Sequence, residues 1–529
     1  MTTTGNITEP STPAPSSEPL PRTNPWVAMI AIALGVLIVS LDGTITAVAN
    51  PILAHDLGAS LSGLQWITNI YLLAMAATLV LAGKLGDRFG RRTVFLVGIV
   101  GFGAASAAIA CAPSVTIVIT GRLGQGLFGA LIITNALALL RALFPAETLP
   151  KALSLFASLI GASSAAGPLL GGLLIEHTSW RWAFMINVPI ALVSLVVGLL
   201  VLPKRQQVDS TPFDLAGSVL LAASLLPITY GLIQAPEVGW TNLVVLTLLA
   251  AGVVAGGAFV LAEKRAVDPL IPLRLFADRS ISLGAGLTII SFFSLVGSLF
   301  FVLLFLQQIN GDSPMTAGLH ILPLSVANVV ASSSSGWIID RYGPRPPLIG
   351  GMLFSAVGFA LFTGVDPHGS YLSLALPFTV LGLGVGLVMT SSVQAVLGNA
   401  AVDDAGPAAG MHQTSLQIGG ILGTAVLGAV MAFAVADSFT TAMTDNDVPD
   451  AVVGDMSGEA VRAVAQGVTP LSSEMAPQTV TALHTATETA FMHGMHTTMW
   501  VGAGVSLLGA VLSIGIKRGR VVEGASSVH

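Results

Sequence analysis

Long apolar runs divide this chain of 529 residues, and they limit its fold more than any other feature. Only 9% of the residues are charged, and the mean hydropathy is +0.84. Soluble domains carry roughly a quarter charged residues. A membrane interior offers no water to backbone groups, so a spanning segment must be a helix or part of a closed barrel. The runs are continuous rather than alternating, which predicts an all-α integral membrane protein.

We predict 14 transmembrane helices from runs of about 18 or more apolar residues. They cover roughly residues 26–53, 61–82, 93–112, 115–140, 151–175, 183–202, 213–235, 242–262, 280–306, 314–339, 347–364, 371–397, 406–436 and 497–516. Lysine and arginine collect in the cytoplasmic loops of membrane proteins. With the N-terminus inside, 18 of the 21 Lys and Arg residues fall on the cytoplasmic side. This asymmetry supports the even count and places both termini in the cytoplasm.

A charged string occurs twice between apolar runs. Residues 83–92 and 336–345 share the pattern Gly-x-x-x-Asp-Arg-x-Gly-x-Arg. Its recurrence at equivalent places predicts two six-helix halves with an inserted pair of helices. The predicted divisions are a disordered tail at 1–25, a first bundle at 26–202, inserted helices 7 and 8 at 213–262, a second bundle at 280–516 with a long external loop at about 437–496, and a cytoplasmic tail at 517–529.

Several further strings are each on the helix or loop expected for a known family. They are 41–45 with Pro51 in helix 1, 83–92 after helix 2, 122–130 in helix 4, 161–172 in helix 5, and 180–189 and 268–270 further on. The likeness that they support covers about residues 26–516. They resemble the major facilitator superfamily, and in particular its fourteen-helix branch of drug:proton antiporters.

The resemblance implies proton-coupled efflux of a drug, antibiotic or other amphipathic small molecule across the cytoplasmic membrane by alternating access. An exporter of an endogenous lipid or metabolite is the alternative. The implied partners are a small-molecule substrate, protons and the lipid bilayer, and the implied protein is a monomer without cofactor or metal. The pI near 5.8 gives no reason to expect nucleic acid. No Gly-x-x-x-x-Gly-Lys-Ser/Thr string supports a nucleotide site.

Two charges stand out inside the predicted spans. Asp42 is the only acid well inside one, and Arg122 is the only base. Charges within a membrane are costly and mark functional sites. At 1.5 Å per residue, both lie roughly 10–15 Å below the outer surface, where they can meet. We predict that Asp42 carries the coupling proton and that Arg122 tunes it. The alternative is a static ion pair that locks helices 1 and 4.

The repeated string supplies the candidate residues of a conformational latch. They are Gly83, Asp87, Arg88, Gly90, Arg91 and Arg92 in the first copy, and Asp340 and Arg341 in the second. By resemblance, this loop is a charge latch between helix ends, with Glu147 as a possible partner for Arg91 or Arg92. Anchoring by positive charge is the alternative. Anchoring alone does not explain why Asp87 recurs as Asp340 with the same glycine and arginine spacing.

Helix 5 and scattered amides complete the candidate residues. By resemblance, the helix 5 antiporter motif is Gly161, Gly167, Pro168, Gly171 and Gly172. Small residues permit close helix packing, and a proline can kink the span. Candidate substrate-pocket residues are Asn50, Asn69, Gln125, Asn135, Gln394 and Gln413. Each amide could equally form a helix–helix hydrogen bond.

Two other classes of protein remain as alternatives. A membrane-embedded enzyme is disfavoured, because the spans contain no paired acids and no set of metal ligands. A non-transporting sensor would not need a titratable Asp42. Since no other acid lies in mid-span, we expect a neutral, weakly basic or amphipathic substrate rather than a large polycation.

Overall fold

The computed structural model describes residues 24–145, 148–203, 215–266, 269, 273–367, 369–400, 405–454, 456–471 and 475–517. Within these ranges the secondary structure is helical throughout, and no strand occurs. The predicted all-α class is therefore confirmed. The predicted tails fall almost wholly outside the described residues, and so does Glu147.

The helices follow one another along the chain with short connections. They are α1 (Pro25–Leu57), α2 (Leu61–Phe89), α3 (Arg91–Ala110), α4 (Val115–Leu143), α5 (Leu149–His177), α6 (Trp180–Met185), α7 (Asn187–Val201), α8 (Leu215–Val238), α9 (Leu243–Arg265), α10 (Arg279–Leu304), α11 (Pro314–Tyr342), α12 (Arg345–Phe362), α13 (Tyr371–Leu397), α14 (Ala405–Asp445), α15 (Asp450–Gly454), α16 (Gly458–Val464) and α17 (Pro477–Ser513). A π-helical turn, Phe305–Ile309, continues α10.

Each predicted span coincides with helix in the structure. Among the described residues, 12 helical segments are long and apolar enough to cross a membrane, with α6 and α7 counted as one, and the bent α2 raises this number to 13. The remaining predicted span coincides with α5, which has 29 residues. The count of fourteen crossings and the orientation in the membrane stay predictions.

The helices pack as two groups. In the first half, α2 and α3 pack on α4, and α1 packs on α5 and α7. In the second half, α11 and α12 pack on α13, and α10 packs on α14 and α17. The inserted hairpin of α8 and α9 lies beside the seam, because α8 contacts both α2 and α14. Trp66 of α2 meets Tyr230 of α8 with ring centroids 5.7 Å apart.

The repeated charged string turns the chain in the same way in both halves. Gly90 follows α2 with a φ of 88°, and Gly343 follows α11 with a φ of 77°. Residues with a side chain rarely adopt a positive φ in this range, whereas glycine adopts it freely. The last shared glycine of the pattern therefore has a conformational reason in each copy.

Helices extend into both ends of the region predicted as an external loop at 437–496, and helical spacing from about Val480 is visible in the sequence. α14 continues to Asp445, and α17 begins at Pro477. Phe439 of α14 and Phe491 of α17 are both fully buried in one apolar cluster. Apolar packing between the two helices therefore continues beyond the expected membrane boundary, which the hydropathy of a single segment does not reveal.

The connection between α14 and α17 lies against the first half. With its amide oriented to satisfy both groups, Gln466 donates to Ala59 O at 3.1 Å and accepts from Leu61 N at 3.1 Å. The next residue, Gly467, has a φ of 77° and approaches the side chain of Gln308 at the end of α10. This connection therefore joins the turn between α1 and α2 to the second half.

Candidate functional site

Asp42 and Arg122 form an ion pair in the interior of the first half. Asp42 lies on α1 and Arg122 on α4, and their side chains are 0% and 2% exposed. Arg122 Nη1 donates a hydrogen bond to Asp42 Oδ2. Removing one partner of a buried pair strands the other charge and costs about 3–5 kcal/mol. The two charges that are conspicuous in the sequence therefore depend on each other in the fold.

Two amides and a hydroxyl surround the second oxygen of the carboxylate. Gln125 Nε2 donates to Asp42 Oδ1 at 2.8 Å, and Asn187 Nδ2 donates to the same oxygen at 3.0 Å. Both nitrogens also donate to Ser106 Oγ, at 2.8 and 3.3 Å. All of these side chains are buried. The arrangement suits an ionised carboxylate, because such a group only accepts hydrogen bonds.

Arg122 also contacts α2. Its Nε donates to Ile67 O at 3.1 Å, and its guanidinium lies 4.1 Å from the ring centroid of Tyr71. A cation over an aromatic face is attracted by the ring quadrupole, most strongly where water is excluded. Nη1 additionally donates to Gln125 Oε1 at 2.9 Å. One guanidinium thus connects α1, α2 and α4.

Sequence reasoning missed three members of this cluster. Ser106 lies in an alanine- and glycine-rich part of α3, and Tyr71 lies in an ordinary apolar stretch of α2, so neither has a distinctive signal. Asn187 is part of the 180–189 string, but that string indicated only a resemblance. Asn187 begins α7 directly after the break at Ile186, which the predicted single span 183–202 did not contain.

The six amides proposed for a substrate pocket do not lie in one place. Gln125 belongs to the Asp42 cluster. Asn135 ties α4 to α2, because its Nδ2 donates to Ala82 O at 3.1 Å and to Leu131 O at 2.8 Å. Gln394 is exposed, and Gln413 is partly buried.

The other two amides lie on α1 and α2. Asn50 Nδ2 donates to Thr68 Oγ1 at 3.3 Å. Asn69 Oδ1 accepts from Thr424 Oγ1 of α14. Asn50 Oδ1 and Asn69 Nδ2 are buried without a hydrogen-bond partner. These two side chains therefore keep polar atoms that a bound molecule can use.

The first charged string forms contacts within its own half. Arg91 donates through Nε to Asp87 Oδ1 at 3.1 Å, and its Nη2 lies 3.0 Å from the same oxygen. Arg92 Nη2 donates to Leu199 O at the end of α7 at 2.8 Å. The arginine side chains therefore hold the ends of α2, α3 and α7 together.

The second copy of the string is organised differently. Asp340 is exposed and has no ion pair among the described residues. Arg341 lies between two aromatic neighbours, 5.9 Å from the Trp337 ring centroid and 5.6 Å from that of Tyr342. The two copies thus share the turn geometry but differ in their charge contacts.

The helix 5 motif packs in two directions. A Cβ added at Gly171 would lie 3.3 Å from Ile45 Cα of α1. A Cβ added at Gly172 would lie 2.6 Å from Met315 Cα of α11, in the other half. In return, Gly318 of α11 lies against the backbone at Pro168. These glycines therefore allow α5 to contact its own half and the opposite half at once.

Several of the hydrogen bonds between the halves occur at the ends of the helices that are predicted to be external. Glu176 at the end of α5 accepts from Ser313 Oγ at 2.5 Å and from Met315 N at 3.2 Å. This carboxylate therefore caps the first turn of α11, where N–H groups lack helical partners. Gln307 Nε2 donates to Val48 O at 3.1 Å at the same end.

A third pair of helices also joins the halves. Gln65 Nε2 of α2 donates to Thr424 O of α14 at 3.1 Å. Together with the contacts of Glu176 and Gln307, this bond closes the seam on the predicted external side. We call these contacts the external closure.

Two helical bundles that meet at such a seam, one of them containing a buried ion pair, define a multi-pass membrane transport protein. The model of the Major Facilitator Superfamily matches residues 32–424, and the chain belongs to that family. It is therefore a transporter of a small-molecule substrate in the bacterial plasma membrane, not an enzyme.

Similar relatives include two bacterial proteins described as an export protein and an efflux pump. The tetracenomycin C resistance and export protein of Streptomyces glaucescens is 41% identical over 93% of this chain and 92% of its own length. The multidrug efflux pump LfrA of Mycolicibacterium smegmatis is 32% identical over 93% of this chain and 96% of its own.

The fold also resembles a solved structure. A bacterial homologue of the human lysosomal transporter Spinster, in an inward-facing and unoccupied conformation, matches with a TM-score of 0.62. The match covers 94% of this chain and 99% of that one at 13% identity, so it shows the fold alone.

Proposed function

We propose that this chain exports a drug-like small molecule in exchange for protons, with Asp42 as the proton carrier. The observation that carries this proposal is the buried Asp42–Arg122 pair. Ionisable side chains inside a membrane bundle cost free energy, and such residues mark functional sites. The relatives support the cargo, because one is described as an exporter of tetracenomycin C and another as a multidrug efflux pump.

Protonation of Asp42 changes the forces that hold three helices. The charge of the carboxylate disappears, and its attraction for Arg122 falls sharply, because charges interact much more strongly in a low-dielectric interior than in water. Arg122 keeps its contacts with Ile67 O, Gln125 and Tyr71. The proton therefore loosens α1 from α2 and α4 without releasing the guanidinium.

Alternating access requires the external closure to open and the opposite end to close. The external contacts are a few hydrogen bonds, two close helix approaches and apolar packing between the halves. They can separate without unfolding either half, because the helices of each half also pack on one another. Opening exposes Asp42 to the outer solution, from which it takes a proton. The drug leaves outward in this open state. After the external closure has formed again, the proton is released inward and the next drug molecule binds.

The substrate contacts that we favour are Asn50 and Asn69. Both keep an unpaired buried amide atom, and Asn69 lies against α14 across the seam. A neutral or weakly basic amphipathic compound suits these groups, because the Asp42 carboxylate is already paired with Arg122.

The direct test is uptake of candidate compounds into inverted membrane vesicles under an imposed proton gradient. We expect uptake of amphipathic drugs that collapses when the gradient is dissipated, together with proton movement in the opposite direction. Lipids and metabolites in the same panel test the alternative cargo. An uptake rate that is the same with and without the proton gradient would rule out proton coupling.

Gly172→Val should weaken the external closure. The added side chain meets the backbone at Met315, so α5 and α11 can no longer approach as closely. We expect Val48, which is fully buried on α1, to become accessible from outside when it is replaced by cysteine in a Cys111→Ser background. The measurement is the rate of labelling by a membrane-impermeant maleimide.

Gly350→Val is the matched control, because a Cβ there meets nothing within 4 Å. Equal labelling in both variants would contradict this role.

Asp87→Asn should alter the balance between the inward-facing and outward-facing conformations more than it alters the free energy of unfolding. Asp87 and Arg91 are each 39% exposed in their side chains, and exposed pairs contribute only about 0–1 kcal/mol. The same Val48→Cys labelling reports the balance. Asp340→Asn is the control, since Asp340 is exposed and its described contacts include no ion pair. If both variants label like the parent, the string is an anchor rather than a latch.

A further inference from the structure

We propose that Asn187 is a positioning residue that hydrogen-bonds to Asp42 in both of its protonation states, by reversing its side-chain amide when the carboxyl gains a proton. This inference rests on the proposed role of Asp42 as proton carrier. It starts from an unpaired atom, because Asn187 Oδ1 is buried without any hydrogen-bond partner. Buried polar atoms without partners are uncommon, since each loses its water without replacement.

The ionised state forces this orientation of the amide. A carboxylate only accepts hydrogen bonds, so Asn187 must direct Nδ2 toward it. That nitrogen donates to Asp42 Oδ1 at 3.0 Å and to Ser106 Oγ at 3.3 Å. Both donors of the amide are then used in the cluster, and Oδ1 faces away from it. The unpaired oxygen is thus the consequence of satisfying the charge.

Protonation reverses the requirement. A neutral carboxyl has an O–H group that needs an acceptor. Rotation of the Asn187 amide by about 180° places Oδ1 where Nδ2 was, and Oδ1 then accepts from the carboxyl. The Ser106 hydroxyl can donate as well as accept, so it turns its hydrogen toward the same oxygen. The proton is the only atom gained, and it comes from water on the side to which the site is open.

Gln125 cannot respond in this way, although its nitrogen makes the same two contacts. Its Oε1 accepts from Arg122 Nη1 at 2.9 Å. Reversal would turn its N–H groups toward a guanidinium that only donates. Gln125 therefore stays fixed between Arg122 and Asp42, while Asn187 is the amide of this cluster that can follow the proton.

Four helices, α2, α3, α4 and α7, contribute groups to this arrangement. The charged or titratable side chains among the described residues that face Asp42 are Arg122 of α4 and Tyr71 of α2. The other neighbours, Gln125, Ser106 and Asn187, are neutral. Protonation of Asp42 alone is therefore sufficient to drive the amide reversal, and no second titrating group is needed.

Difference infrared spectroscopy of the full-length protein in lipid vesicles tests this inference. The spectrum of the parent minus that of Asn187→Leu isolates the Asn187 amide carbonyl band. As the pH falls, we expect this band to shift to lower frequency with the same midpoint as the Asp42 carboxyl band, because the carbonyl gains hydrogen bonds. The matched control is Asn135→Leu, which removes another buried amide of α4, one that donates to Ala82 O and lies 13 residues after Arg122. The Asn135 amide band, obtained by the same subtraction, should not shift with pH. A fixed Asn187 band beside a titrating Asp42 band overturns the inference.

A second variant separates this role from packing. Asn187→Ser keeps a group that can both donate and accept, whereas Asn187→Leu keeps the volume and loses both functions. We expect the serine variant to retain more gradient-driven transport than the leucine variant, and it can replace leucine in the spectral subtraction if that variant does not fold. Equal or better transport by Asn187→Leu would mean that Asn187 only fills space. Coupled transport that survives in Asp42→Asn would instead overturn the proposed function itself.

Discussion

Asp42→Asn should abolish proton-driven transport while exchange of substrate down its own gradient continues. Asparagine keeps the size of the side chain and one acceptor for Arg122, but it cannot lose or gain a proton near neutral pH. In inverted vesicles, we expect the proton gradient to have no effect on drug uptake by this variant. Undiminished gradient-driven uptake would remove Asp42 from the mechanism.

Loss of stability is the competing explanation for such a result. Asp42→Asn leaves the Arg122 charge without its partner, at a cost of about 3–5 kcal/mol. The double variant Asp42→Asn, Arg122→Gln removes the stranded charge and should recover thermal stability. We expect it to remain uncoupled. Recovery of coupling together with stability would assign the pair a structural role only.

A partly exposed acid provides a matched control for the same chemical change. Asp278 caps the start of α10 and accepts from Lys517 Nζ at 2.8 Å. It lies outside the predicted spans. Asp278→Asn should transport at close to the parent rate, so that an effect of Asp42→Asn reflects the position of the acid and not the loss of a carboxylate in general.

Covalent closure of the external seam should stop transport completely. Glu176 and Ser313 belong to different halves, and their side chains are hydrogen-bonded at 2.5 Å. Cysteines at both positions, in a Cys111→Ser background that removes the one native cysteine, can be joined by a short cross-linker that forms a disulfide with each thiol. If the halves must separate here in every cycle, uptake should fall to the level of vesicles without the protein and return after reduction.

A cross-link within one half is the matched control for that experiment. Ser60 and Ser62 lie at the same end of the molecule, with their hydroxyl oxygens 3.0 Å apart. Both belong to the start of α2, so joining them restrains no movement between the halves. We expect transport to continue there. Full transport by the linked Glu176→Cys, Ser313→Cys protein would show that this seam does not open.

Most of the helices could be predicted from the sequence, because a run of apolar residues long enough to cross a membrane has one stable backbone conformation there. The differences concern the ends. α14 and α17 extend beyond their apolar runs, since residues such as Phe439 and Phe491 are buried against other helices outside the expected spans. Hydropathy measures each segment alone and does not report such mutual burial.

The central ion pair was also recognisable, because Asp42 and Arg122 are rare charges in apolar helices. Their neighbours were not. Ser106, Asn187 and Tyr71 are residue types that occur throughout membrane helices, and their role depends on which atoms face the carboxylate. For the same reason, Asn135 was a plausible pocket residue in the sequence, although it joins α4 to α2 in the fold.

The sequence by itself determined the class of this protein, its division into two halves and the two charges at its centre, because apolar length, repetition and isolated charge are properties of the chain. Only the tertiary structure decided which groups share a hydrogen bond and where the halves touch. The unpaired oxygen of Asn187, the approach of Gly172 to α11 and the capping of α11 by Glu176 bring together helices that are distant in the sequence. Such contacts are set by packing in three dimensions, and no local pattern of residues encodes them.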